Sequence, residues 1–379
     1  MNILRPISVL AVALVLAANG ASAQVSLTPP AAEKPAAAGK PAARPKAKPQ
    51  EATKAKDAVK KPATPKPDAI PTMPAPTATP APTPDDPNAD FVYAAYQRGQ
   101  YKTSFDLAIK RAQEKNDPKA MTMLGELYAN GQGVKPDYNK AIDWYKRGAA
   151  AGDREAMFAL AMLRMSGRGG PPNSEEAAKL LASSAKLGNP KAAYNLALLY
   201  IDGQTLPQDL KRAAQLLRQS ADAGNPEAQY ALATFYKEGT AVEKDIDKSV
   251  RLLQAASLAD NVDAEVEYAI ALYNGTGTPR NQPAAVALLR KAARQNSPIA
   301  QNRLAWVLVN GQGAPMDKIE ALKWHLIAKT AGKGDPSLDE AFGSLSPEDR
   351  AKAEAAARKW LGTSSLTAAP TQGTQSKAR

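Results

Sequence analysis

Alanine stands at positions 120, 156, 192, 228, 264 and 300, one every 36 residues, and three further columns keep that spacing. Eleven residues after each alanine comes a glycine: Gly131, Gly167, Gly203, Gly239, Gly275 and Gly311. Seventeen after it comes Asp or Asn: Asp137, Asn173, Asp209, Asp245, Asn281 and Asp317. Thirty-two after it come Gly152, Gly188, Gly224, Asp260, Asn296 and Gly332. A unit this short cannot bury its own apolar face, so neighbouring units must stack on one another.

The columns predict a helix, a loop, a second helix and a short turn in every unit. Glycine at the eleventh offset suits the left-handed residue that ends a helix. The Asp/Asn column offers a side-chain oxygen to the free N–H groups that open the next one. Gly, Asn and Asp at the last column tolerate positive φ best, and Pro118, Pro190, Pro226 and Pro298 then bar continuation. Apolar residues agree: Ala192, Leu196, Ala197, Leu199 and Tyr200 share one face of the first helix type (A), and Ala141, Trp144, Tyr145 and Ala149 one face of the second (B). The expected fold is an all-α solenoid of about six such repeats.

The loop "NGQGVKPD" at 130–137 carries a G-x-G pair beside Lys135, which raises the prospect of a phosphate cradle. It recurs as "SGRGGPPN", "DGQTLPQD", "EGTAVEKD", "NGTGTPRN" and "NGQGAPMD", with no strand before it and the lysine missing from several copies. It is read as the link between paired helices.

The unit beginning "AMTMLGELYANGQGVKPDYNKAIDWYKRGAAAGD" resembles the Sel1-like repeat, a relative of the tetratricopeptide repeat. The match rests on Leu124-Gly125, Leu127-Tyr128, Gly131-x-Gly133-Val134, Asp137, Lys140-Ala141, Trp144-Tyr145 and Ala149-Ala150. Residues 88–119 resemble a tetratricopeptide-type helix pair turning at Gly99-Gln100, with the six repeats over 120–335. Residues 336–361 are expected to form a C-terminal capping helix, with Ser346 as N-cap and Trp360 on the last repeat. The resemblance implies an adaptor or scaffold that holds a partner protein along a superhelix, with exported members associated with envelope signalling or host contact. A cysteine-rich branch of the family has no counterpart here, because the chain has no cysteine.

The ends of the chain differ from its middle. Residues 1–23 have one charge at Arg5, an apolar run from Ile7 to Ala18 and a small-x-small ending at Ala21-Ser22-Ala23. That run is too short to span a bilayer, which takes about 20 residues, and reads as a signal peptide cleaved after Ala23, giving a periplasmic or secreted protein with no stable membrane span; the alternative is an uncleaved N-terminal anchor. Residues 24–87 hold 16 prolines and 16 alanines, with ten Lys/Arg against six Asp/Glu. That composition predicts a disordered basic tether, as does the tail 362–379. An exported chain has little occasion to meet nucleic acid, so the counterpart of the tether would be an anionic cell-wall polymer such as peptidoglycan or a membrane surface, or else it is a solvated spacer.

Little points to catalysis. The one histidine, His325, falls in the column filled elsewhere by Tyr145, Leu181, Leu217, Leu253 and Leu289, and is read as a packing residue. No cysteine nucleophile, metal-ligand spacing or cofactor motif is present, so a non-enzymatic protein without cofactor is expected. The stronger feature is a second face of helix A, which by resemblance to tetratricopeptide solenoids lines a concave groove. There stand Phe158, Met162 and Met165; Tyr194, Leu198 and Ile201; Tyr230; Ile270 and Tyr273; and Trp306. A face so apolar would hold a protein or peptide by side-chain burial. The alternative is that tight superhelical curvature packs the same residues against neighbouring repeats. Lys146, Arg147, Arg218, Arg290, Lys291 and Arg294 form a second candidate on the outer side of helix B, where charge ordinarily serves solvation.

Overall fold

The computed structural model describes residues 90–362; the expected signal peptide, the tether and nearly all of the tail lie outside the described residues. Two helices lead, α1 (Phe91–Gln97) and α2 (Tyr101–Lys115), joined across Gly99 and Gln100. Six helix pairs follow. The A helices are α3 (Pro118–Asn130), α5 (Arg154–Ser166), α7 (Pro190–Asp202), α9 (Pro226–Glu238), α11 (Val262–Asn274) and α13 (Pro298–Asn310). The B helices are α4 (Tyr138–Ala150), α6 (Ser174–Lys186), α8 (Leu210–Asp222), α10 (Ile246–Leu258), α12 (Gln282–Arg294) and α14 (Lys318–Thr330). Each of the twelve is 13 residues long, or about 20 Å at 1.5 Å per residue. From α1 to α14 each helix packs on its neighbours in sequence, which makes the array an all-α solenoid.

The periodic columns do the work expected of them. All six residues from Asp137 to Asp317 accept backbone N–H groups at the start of a B helix, as Asp245 does from Lys248 at 2.8 Å. All six glycines that end the A helices are left-handed, with φ between 66° and 80°. At the second turn Asp260 and Asn296 take up positive φ, 60° and 63°, like the glycines in their column. A further capping column emerges at Asp117, Asp153, Asn189, Asn225, Asn261 and Ser297, which start the A helices.

Between helices A and B the core is built from small residues in close approach and larger ones in between. Ala161, Ala197, Ala233, Ala269 and Ala305 are fully buried on helix A, opposite Leu181, Leu217, Leu253 and Leu289 of helix B. In the first repeat that pair is Gly125 and Tyr145, and the tyrosine ring occupies the room a methyl group would take.

The stretch 336–361 holds two helices in place of one. The short α15 (Pro336–Ala341) opens on Asp335, whose side chain accepts from Ser337 N–H, and α16 (Pro347–Leu361) opens on Ser346. Between them the chain turns at Gly343, and Phe342 and Leu338 are driven into the core of the last repeats. Trp360 lies edge-on to Trp324, ring centroids 5.1 Å apart, and its Nε1 donates to Asn296 Oδ1 at 3.2 Å.

Candidate functional site

The second face of helix A is not uniform along the array. In α5 Phe158, Met162 and Met165 are half-buried, as are Tyr230 in α9 and Trp306 in α13. In α7 Tyr194, Leu198 and Ile201 are buried, with Ile201 2% exposed, and so are Ile270 and Tyr273 in α11. Tyr194, Leu198 and Ile201 share one core cluster with Ala231 and Phe235 of the next A helix, so curvature does close that part of the face. Trp306 is tied down as well: its indole Nε1 donates to Asp335 Oδ2 at 2.9 Å. The accessible apolar surface is therefore concentrated on the second repeat, with Tyr230 further along.

Carboxylates border the tyrosines. Burial, and after it Glu227, pushes the Tyr194 phenol up to about 12. Burial also raises Tyr230, helped by Glu267, Asp263 and Glu238. Asp263 itself is raised by burial and by the charge of Glu267, while Glu267 accepts from Lys237 at 2.9 Å. This part of helix A thus carries negative charge beside aromatic surface, a setting that favours a cationic side chain over an anionic one.

His325 is fully buried, its Nε2 2.9 Å from Asp339 Oδ1 and its ring 5.6 Å from that of Phe342. It packs as its column suggested, but the carboxylate from α15 could not be anticipated from the repeat. Its Nδ1 has no hydrogen-bond partner. Among the described residues no group of three or more His, Asp or Glu is arranged to hold a metal ion.

Four of the six outer cations make specific contacts. Arg147 lies over the Trp144 ring at 4.1 Å, Arg290 Nη2 donates to Glu320 at 2.9 Å, and Lys291 Nζ reaches Asp260 at 2.6 Å and the fully buried Glu265 at 2.7 Å. Arg218 Nη2 instead donates to the Tyr236 hydroxyl at 2.8 Å.

With this geometry in place, comparison with known families is informative. The Sel1 repeat matches six consecutive times, over residues 118–153, 154–189, 190–225, 226–261, 262–297 and 298–333, more than half of the chain. The chain belongs to the Sel1 repeat family. Each matched unit of this Sel1 repeat protein contains one A helix and one B helix. Among solved structures it is similar to c5321, a protective antigen of uropathogenic Escherichia coli with the same repeat fold. The TM-score there is 0.63 at 24% identity, covering 76% of this chain and 66% of that one, just under two thirds of its length. It is also similar to a Sel1 repeat protein from Oxalobacter formigenes, with a TM-score of 0.55 at 24% identity, covering 62% of this chain and 94% of that one. Both likenesses concern the fold. Comparison with curated proteins gave no match. Sel1 and related tetratricopeptide-like repeats are in general protein-interaction folds, and no helix among the described residues is long and apolar enough to cross a membrane.

Proposed function

We propose that this protein is an exported, non-catalytic scaffold that binds a protein or peptide along the second face of its A helices. The observation that carries this reading is the half-buried trio Phe158, Met162 and Met165, an apolar surface that repeat stacking leaves partly open. Two methionines beside an aromatic ring make an adaptable surface, since the thioether chain repacks at low cost. Tyr230, two repeats further on, is a second half-buried aromatic on this face, whereas Tyr194, Leu198, Ile201, Ile270 and Tyr273 are buried in the repeat core. Trp306 contributes an edge held by Asp335. Export and an envelope role rest on the sequence of residues 1–23, and a periplasmic or secreted location follows from them.

The test is site-specific photo-crosslinking in intact cells, with the probe at Met162 and a control at Lys179, an exposed position on α6. A discrete adduct from 162 that is missing from 179 is expected. An empty lane at 162 in a folded protein, or equal adducts at both sites, removes the groove as the binding surface. The excess of ten Lys/Arg over six Asp/Glu in residues 24–87 supports a second reading, attachment to an anionic cell-wall polymer. Salt separates the two: it releases a polymer-bound tether and leaves an apolar complex nearly unchanged.

A further inference from the structure

The repeat supplies its own reference for what should face an outer arginine. Arg218 and Arg290 are equivalent residues two repeats apart, in α8 and α12. At the junction of the fifth and sixth repeats Arg290 Nη2 is 2.9 Å from Glu320 Oε2. At the junction of the third and fourth the position of Glu320 is taken by Lys248. The position that holds a carboxylate for Arg290 thus holds a cation for Arg218, and among the described residues Arg218 forms no ion pair with an acidic side chain.

What surrounds Arg218 is a cleft of about 370 Å³, bounded by Tyr236, Val242, Lys244 and Lys248. Glu243 and Asp245 also reach its wall. Asp245 is committed twice, to the N–H of Lys248 as helix cap and to Lys248 Nζ at 2.9 Å. The Tyr236 ring is fixed beneath Lys248, whose Nζ is 5.4 Å from its centroid, and the hydroxyl accepts from Arg218 Nη2 at 2.8 Å. A guanidinium has five N–H donors in a planar fork, so most of this one remain unused. The tyrosine hydroxyl, having accepted from Arg218, can donate its own proton to an incoming oxygen.

We propose that this cleft binds a carboxylate supplied from outside the chain, taken by the Arg218 guanidinium with the Tyr236 hydroxyl orienting it. Lys244 and Lys248 hold the local potential positive. The ligand is a small dicarboxylate or the acidic side chain of a partner; both present the group that Glu320 presents to Arg290. The site lies apart from the apolar face of helix A and does not depend on the reading given to it.

The experiment uses the full chain with ¹⁵N-labelled arginine and follows the Nε–H resonances of Arg218 and Arg290. The probes are glutarate, a blocked Ala-Glu-Ala tripeptide and inorganic phosphate. A saturable shift of Arg218 with glutarate or with the tripeptide is expected, with Arg290 unmoved, and whichever binds tighter identifies the source. Arg218→Gln, a change at an exposed side chain, removes that reporter, so its binding is read by titration calorimetry: the glutarate heat of the parent should be lost in a variant that still melts cooperatively. Lys248→Glu should weaken binding at least tenfold and move the Arg218 resonance toward that of Arg290 before any probe is added, because it restores the carboxylate in place. The proposal is overturned if no carboxylate saturates Arg218, if Arg218 and Arg290 respond alike, if Lys248→Glu leaves affinity unchanged, or if phosphate alone binds.

Discussion

The ring of Tyr145 occupies the space next to Gly125 so closely that a Cβ on the glycine would come within 2.5 Å of Tyr145 Cε1. Glycine in the middle of α3 costs helix propensity, about 1 kcal/mol relative to alanine, and the ring explains why it stands there. In the other repeats alanine faces leucine or histidine at the same place. Gly125→Ala is therefore expected to destabilise the protein by about 1–3 kcal/mol through overpacking, against its gain in propensity. Urea unfolding of the single variant and of Gly125→Ala/Tyr145→Leu checks this, with the double variant recovering most of the loss.

Glu265 is fully buried on α11, with Lys291 Nζ 2.7 Å from its Oε1. Removing only the lysine leaves a buried carboxylate without its counter-ion. Lys291→Met should lower stability by about 2–3 kcal/mol, the low end for a buried pair because the lysine is half in water. Replacing both with methionine should return most of that loss in a thermal melt. A single-variant effect near zero would show that Glu265 does not depend on its partner.

The cap formed by α15 and α16 is held partly by Asp339. Burial would raise its carboxyl, but hydrogen bonds from His325 and Lys329 outweigh that and hold it below the ordinary carboxylate range. A lowered folded value means stability that is fully present above the unfolded value of about 3.9 and lost as pH falls through the folded one. Asp339→Asn is expected to lower the urea midpoint at neutral pH, read by the fluorescence of Trp360 against Trp324. Below pH 4 the gap between the two proteins should close. A gap independent of pH would assign the effect to packing.

Tyr194 is 3% exposed, but its hydroxyl is not among the buried polar atoms left without a hydrogen bond. Tyr194→Phe should change stability by less than about 0.5 kcal/mol at neutral pH. Its phenol, raised to about 12 by burial and by Glu227, favours the folded state up to the ordinary tyrosine value near 10 and loses that advantage as pH climbs toward 12. Because burial also raises Tyr145 and Tyr230, absorbance titration of the parent should show several late tyrosines, with one fewer in the variant.

The residues that end and begin helices were readable because each acts on its own backbone. A glycine at a left-handed φ or an aspartate on a free N–H needs no knowledge of distant neighbours, so the columns at Gly131 and Asp137 gave the repeat its outline. The A-helix caps at Asp117 and Asn189 follow the same chemistry, and the signal was there in the three residues ahead of each alanine. The burial of Tyr194 beside the openness of Met162 was not legible. It depends on how the next A helix leans, which is set by packing across repeats. Nor does periodicity reveal couplings between columns, such as Arg290 with Glu320 or Arg218 with Tyr236. Such pairs join one repeat to the next, and only the assembled stack defines them. The break at Gly343 escaped because α15 is too short to carry a period of its own.

The buried residues from Val266 to Ala357 form one continuous cluster through the last two repeats and the cap. Towards the start, the core is divided among smaller clusters, the first of them around Val92, Ala108 and Leu124. In a stack held by nearest-neighbour contacts, this gives the molecule a hard end and a soft end. Under mechanical load or proteolytic attack it should come apart directionally, shedding its leading helices while the trailing repeats stay whole. Phe158 and Met162 lie on the soft side, so a partner gripping them would brace the part that unravels first, and occupancy could be read as resistance to pulling.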